Sequence, residues 1–204
     1  MEINRKLRIL FIGNSHTYFN DLPHLVQQKA AEEGFDCEVT MLAHPNWFLA
    51  QHVEDPEARF NIRYGNYDYV ILQEHAHPFG PVEKFRDAVV ALSQWITEAG
   101  SVPVIYECWA EKEKPENQDY MNEVHRQVAG EVHALLAPVG EHWWEYQTNR
   151  PEIEMYAPDG GHASSTGSEF AAGYIWETVR EDLEGIVHSF QIFDNKRKED
   201  KDKK

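Results

Sequence analysis

Leu7-Arg8-Ile9-Leu10-Phe11-Ile12-Gly13-Asn14-Ser15-His16-Thr17 is the stretch whose reading decides the fold. An apolar run of strand length passes straight into glycine and a small polar cluster. A buried strand there delivers the Ser15 hydroxyl to the edge of a sheet, where α/β folds keep their chemistry. Gly, Asn and Ser are also common turn formers, so from these residues alone Gly13-Asn14-Ser15 fits a plain turn as well as a nucleophile.

Outward from this strand, helix and strand signals alternate. Asp21 caps a helix with Pro23 in its first turn, Leu22, Leu25, Val26 and Ala30 at helical spacing, and Gly34 to close it. Asp36 to Ala43 alternates as a second strand. A short helix is expected around Phe48 to Val53, then an irregular excursion containing Pro56. Tyr67 to Leu72 is a third strand running into Gln73-Glu74-His75, Pro81 to Ala99 is a helix ended by Gly100, and Val102 to Cys108 is a fourth strand. Glu111 to Glu116 reads as a surface loop, and Met121, Val124, Val128, Val132 and Leu135 mark the next helix. Pro138 and Val139 open a short fifth strand, and the segment from His142 to Pro158 is aromatic and irregular. Thr166 with Glu169, at capping-box spacing, announces the last helix, whose face is Ala171, Ile175, Val179 and Leu183.

This alternation predicts an α/β fold: a three-layer, flavodoxin-like α/β/α sandwich around a parallel sheet of about five strands. One domain is expected over residues 1–194, followed by a charged, disordered tail over 195–204. The C-terminal edge of the sheet should collect Ser15, the Ala43 to Trp47 loop, Gln73 to His77, Glu107 to Trp109 and Gly140 to Trp143, and a cleft is expected there.

Composition narrows the partners. With 42% hydrophobic and 12% aromatic residues the 204-residue chain is globular. With 19 basic against 35 acidic residues its net charge of −16 repels nucleic acid and anionic membranes, leaving a small molecule as the expected partner. No stretch approaches the roughly 20 apolar residues of a membrane span, and the polar start does not match a secretory signal. Cys37 and Cys108 make neither a disulfide framework nor a CxxC pair, so a cytoplasmic location is the expectation. Eleven histidines raise the question of a metal. However, Pro78 breaks the strand after His75-Ala76-His77 and no HExxH occurs, so neither a metal nor another cofactor is expected.

Ser15 needs a base held in the right tautomer. Asp159-Gly160-Gly161-His162 lies in a Gly-rich loop before the last helix, and the three-residue spacing lets carboxylate and imidazole both face the cleft when the loop curls. A capped turn with a surface histidine fits the same residues.

These two blocks, Gly13-Asn14-Ser15 after the first strand and Asp159-Gly160-Gly161-His162 before the last helix, resemble the first and last blocks of the SGNH (GDSL-type) hydrolase superfamily. The chain is more similar still to a bacterial branch with Gly-Asn-Ser-x-Thr, Val-x-Leu-Gln-Glu and Asp-Gly-x-His segments, over roughly residues 7–180. The resemblance implies Ser15 as nucleophile, His162 as general base and Asp159 as the group that orients it. It also implies an oxyanion hole made by the Ser15 N–H, a backbone N–H after the second strand and a side-chain amide after the third. The chain departs from the wider superfamily at both middle blocks. No glycine stands in His44-Pro45-Asn46-Trp47, and no Gly-x-Asn-Asp follows the third strand. Asn46 is assigned the backbone role and Gln73 the amide role; a polar strand end bonded to a neighbouring loop is the other account of Gln73.

His16, Trp47, Glu74, Trp109 and Trp143 are expected to line the substrate pocket, although aromatics at such positions serve packing as often. In an extended segment His16 would face away from Ser15, which disfavours it as the base. The activity implied is hydrolysis of a carboxylic ester through an acyl-enzyme, with a short acyl group such as acetyl on a carbohydrate. Two alternatives stay open. One is an SGNH-like domain whose altered middle blocks have lost or changed catalysis. The other is a flavodoxin-like small-ligand-binding module, against which stands the lack of GxGxxG and GxxxxGK[ST].

Overall fold

The computed structural model describes residues 6–201, with side chains as far as residue 185. Strands β1 (Leu7–Gly13), β2 (Cys37–Ala43), β3 (Tyr69–Gln73), β4 (Val102–Tyr106) and β5 (Leu135–Ala137) lie in the order β2-β1-β3-β4-β5, each pair parallel. Parallel neighbours need crossovers. These are carried by α1 (Ser15–Tyr18), α2 (Leu22–Glu32), α3 (Leu49–Glu54), α4 (Pro56–Tyr64), α5 (Val82–Glu98) and α6 (Gln118–Val132), while α7 (Val139–Asn149) and α8 (Ser165–Lys201) follow the last strand.

Alternate side chains of a strand point to opposite faces, and β1 shows both layers at once. Ile9 and Phe11 join Leu22 and Val26 of α2 and Ile175 and Val179 of α8 in one core. Leu10 and Ile12 join Leu49, Ile62, Leu92 and Val128 from α3, α4, α5 and α6 in the other. The result is the expected α/β sandwich. Strand order reverses at β1, so the crevice beyond the C-terminal ends of β1 and β3 is the topological switch point at which such sheets bind ligands.

Several elements differ from the sequence expectation. Pro56 opens α4 instead of lying in an irregular excursion, because Asp55 caps the helix by accepting the Glu57 N–H at 2.8 Å and Pro is preorganised for a first helical position. The fifth strand is Leu135–Ala137 and not Pro138-Val139. His133, at φ 54, ends α6 in a left-handed cap, which frees Leu135 to pair with Val104, and Pro138 leads into α7. The first half of the supposedly irregular aromatic segment is that helix, with Val139 and Trp143 buried one turn apart.

The last helix is capped by Ser164, whose Oγ accepts the Gly167 N–H at 3.1 Å, so Thr166 falls inside it. Its backbone runs past the boundary expected at Asp194. The whole of the expected tail, 195–204, lies beyond the residues whose side chains are described, and 202–204 lie outside the described residues altogether. No described helix is long and apolar enough to cross a membrane.

Candidate active site

The site begins where β1 turns into α1. Gly13 has no room for a side chain, since a Cβ there would collide with Thr17 Oγ1 and the Gln73 amide. Asn14, buried, caps α1 by accepting the His16 N–H at 3.1 Å, and its Nδ2 donates to the Trp47 carbonyl at 2.9 Å. Ser15 is therefore the first residue of a short helix, and no earlier turn claims its backbone N–H.

His162 reaches Ser15 from the far end of the chain. Its Nε2 lies 2.7 Å from Ser15 Oγ, and its Nδ1 lies 2.6 Å from Asp159 Oδ2. The other carboxylate oxygen of Asp159 accepts the Gly161 and His162 N–H groups, each at 3.0 Å. Burial by itself would raise the Asp159 carboxyl. The hydrogen bonds from Gly161 N–H and from the ring and N–H of His162 outweigh it and hold the group down at about 2. An ionised Asp159 fixes the Nδ1–H tautomer, which leaves Nε2 to accept the serine proton.

The loop carrying this pair is anchored from behind. Trp109 Nε1 donates to the Gly161 carbonyl at 2.8 Å, and the Trp109 ring stacks on Trp143 at 3.8 Å and 10°. Both tryptophans are at most 1% exposed, so they support the loop and do not form a pocket wall. That corrects the expectation for Trp109 and Trp143. His16 is also not where an extended backbone would put it, because it lies in the first turn of α1 and its ring stacks on His162 at 4.8 Å. Burial, then the neighbouring His77 and His162, push the His16 imidazole well below its ordinary value. On the opposite face of His162 lies Phe19, at 4.1 Å and 11°. It follows Ser15 by four residues, about one helical turn, which is the signal in the sequence that places it beside the hydroxyl.

Gln73 is committed elsewhere than to the cleft. It is 1% exposed, its Oε1 accepts the Asn14 N–H and the Thr17 hydroxyl, each at 2.9 Å, and its amide nitrogen donates to the Glu74 carbonyl and contacts the Cys108 sulfur. With both ends of the amide engaged under the β1–α1 turn, Gln73 holds that turn instead of presenting an oxyanion donor. Glu74 is likewise buried, accepting the His75 N–H at 2.7 Å and the Leu49 N–H of α3 at 3.3 Å. Desolvation, opposed by these bonds, pushes its carboxyl up to about 7. It holds the first N–H of α3 and is buried.

Asn46 sits in the turn closed by Trp47 N–H to His44 O at 3.3 Å and has φ 62. That left-handed conformation is one glycine adopts most easily and Asn tolerates, so Asn46 replaces the missing glycine in backbone shape. Trp47 is half-buried at the rim, its ring against His44 and His52. The His75 and His77 rings bond separately to the carbonyls of Pro78 at 3.1 Å and Trp109 at 2.9 Å, so they do not converge on an ion. His44, Asp55 and Glu57 bring ligand-type atoms within 4.8 Å of one another, with Asp55 already engaged in capping α4.

A half-buried strand-end hydroxyl within reach of an imidazole that a carboxylate orients, on a β2-β1-β3-β4-β5 sheet, is an arrangement suited to hydrolysis, and the sheet order can be compared with solved structures. A protein from Slackia heliotrinireducens assigned to the SGNH hydrolases superposes with a TM-score of 0.75 at 28% identity, covering 86% of this chain and all of that one. An acetyl xylan esterase, AlAXEase, matches with a TM-score of 0.65 at 16% identity over 85% of this chain and all of the other. A carbohydrate esterase family 3 protein from Talaromyces cellulolyticus gives 0.68 at 12% identity over 88% and 99%. Neither a family model nor a curated protein sequence matches. The chain has the fold of the SGNH hydrolases and is similar, at 28% identity, to a protein assigned to that superfamily.

Proposed function

We propose that the protein is a serine esterase in which Ser15 attacks the ester carbonyl, His162 takes the Ser15 proton and passes it to the leaving alcohol, and Asp159 orients and stabilises His162. Water, activated by the same His162, then releases the acyl group from Ser15. The observation that carries this reading is the unbroken run Asp159 Oδ2, His162 ring, Ser15 Oγ, with contacts of 2.6 and 2.7 Å. The oxyanion is held by the Ser15 N–H at the head of α1 and by the Asn46 backbone N–H. With Gln73 tied into the turn, these two donors serve where the resemblance implies three.

The substrate we propose is a short-chain ester of a carbohydrate. Supporting this are the carbohydrate-directed esterases among the structural neighbours and the half-buried rings that follow β2 and β3, Trp47, Phe48 and His75, the last two stacked at 4.4 Å. Such faces suit the apolar side of a sugar. Hydrolysis of p-nitrophenyl acetate and of acetylated xylo-oligosaccharides tests both levels. The proposal expects turnover of both, lost on the order of 10³-fold or more in Ser15→Ala and His162→Ala. Turnover of the acetate alone overturns the sugar assignment, and equal rates in wild type and Ser15→Ala overturn the triad.

A further inference from the structure

The triad accounts for two edges of the His162 ring and leaves its two faces, both of which are covered. On one side His16 stacks at 4.8 Å and 28°, and on the other Phe19 stacks at 4.1 Å and 11°, nearly parallel and at van der Waals range. The remaining groups near the ring are Asp159 and Ser15 at its nitrogens and His77, edge-on to His16 at 5.0 Å. Burial lowers both His16 and His77, so neither brings a competing positive charge.

Phe19 is held there by the chain around it. Its backbone N–H donates to the Ser15 carbonyl as α1 ends. The next two residues, Asn20 at φ 53 and Asp21 at φ 54, are both left-handed, a pairing non-glycine residues adopt only when the surroundings enforce it. Asn20 supplies the anchor: its Nδ2 donates to the carbonyl of Ala163, the residue after His162, at 3.1 Å, and to Ser168 Oγ at 2.9 Å. One short segment thus fixes the Phe19 ring against both the nucleophile and the loop of the base.

We propose that Phe19 is a positioning residue for His162 whose ring face stabilises the imidazolium formed when His162 takes the Ser15 proton. The face of an aromatic ring is electron-rich and attracts a cation within about 6 Å of its centroid. As the tetrahedral intermediate forms, the His162 ring gains the Ser15 proton and with it a positive charge. The attraction is therefore stronger in the transition state than in the ground state, which raises kcat instead of merely tightening binding. The proposal rests on the triad reading above and goes beyond it.

The test is the pH dependence of ester hydrolysis by wild type, Phe19→Leu and Phe19→Tyr, with thermal unfolding as a control for folding. Phe19→Leu should lower kcat by about 3- to 30-fold with KM little changed. It should also move the acid limb of the kcat/KM profile to lower pH, by about half a unit or more, because removing the ring disfavours the protonated imidazole. Phe19→Tyr, which keeps a ring, should restore both. A Phe19→Leu protein that folds but shows wild-type kcat, or reduced kcat with an unmoved acid limb, overturns the proposal while leaving the triad intact. Failure of wild-type Ser15 to react with a fluorophosphonate overturns the triad and this proposal with it.

Discussion

At Gln73 the length of one side chain decides its role. A methylene longer than Asn, it reaches beneath the β1–α1 turn and takes the Asn14 N–H and Thr17 hydroxyl. Truncation in Gln73→Ala leaves both donors buried without their acceptor. We expect unfolding in urea to shift by on the order of 2–4 kcal/mol, with turnover falling because the Ser15 turn loosens. An unchanged midpoint with lost turnover would return Gln73 to the oxyanion hole. Trp109→Phe removes the bond to the Gly161 carbonyl and should cut kcat by roughly tenfold at nearly constant KM; wild-type kcat would show that the loop does not need this support.

The sequence places Gln73 and Glu74 at the end of the third strand, yet a strand-end position does not say whether a side chain turns into the core or the cleft. Ser15, Asp159 and His162 were legible because their chemistry is in the residue types and their spacing. The duties of Gln73, Glu74, Trp109 and Trp143 depend on contacts 25 or more positions away.

Among the elements, β1 to β4 and the long α5 followed from apolar runs and helical spacing, because each signal there is local. The region after β4 did not. Strand β5 has only three residues, too few to show alternation, and Pro138 sits at its end, where it marks the start of α7 as readily as a strand. The entry into α8 matters more for the site, since Ser164 lies two residues beyond His162. Ser164 Oγ caps Gly167 at 3.1 Å and donates to the Glu154 carbonyl at 2.8 Å. Ser164→Ala should therefore destabilise the fold by about 1 kcal/mol. Because the cap also ends the catalytic loop, it should lower kcat more than KM. A stability loss without any kinetic effect would separate the cap from the site.

Across the whole molecule, the fold brings residues 147 positions apart into a 2.7 Å contact, and it tolerates buried acid groups to do so. Desolvation and the nearby Glu141 raise the Glu107 carboxyl from 4.5 to about 7 against the hydrogen bonds it receives. Between those values the folded protein keeps a proton that the unfolded chain has lost, so this group's contribution to stability falls as pH rises from about 4.5 to 7. Glu107→Gln removes that dependence. Relative to wild type it should gain about 2–3 kcal/mol between pH 4.5 and 8, read from paired unfolding curves. The pairing matters, because the buried His16, His52 and His125 and the half-buried His77, all lowered, titrate with the opposite sign and are common to both proteins. A pH-independent difference would contradict the assignment.

On this account Ser15 is a nucleophile activated by the His162 imidazole that contacts its hydroxyl directly. Peptide mapping by mass spectrometry after reaction with a fluorophosphonate probe reads this directly. The predicted result is a single adduct on Ser15, absent in Ser15→Ala and formed far more slowly in His162→Ala. A folded wild-type protein that carries no adduct, or carries it on another residue, would contradict it.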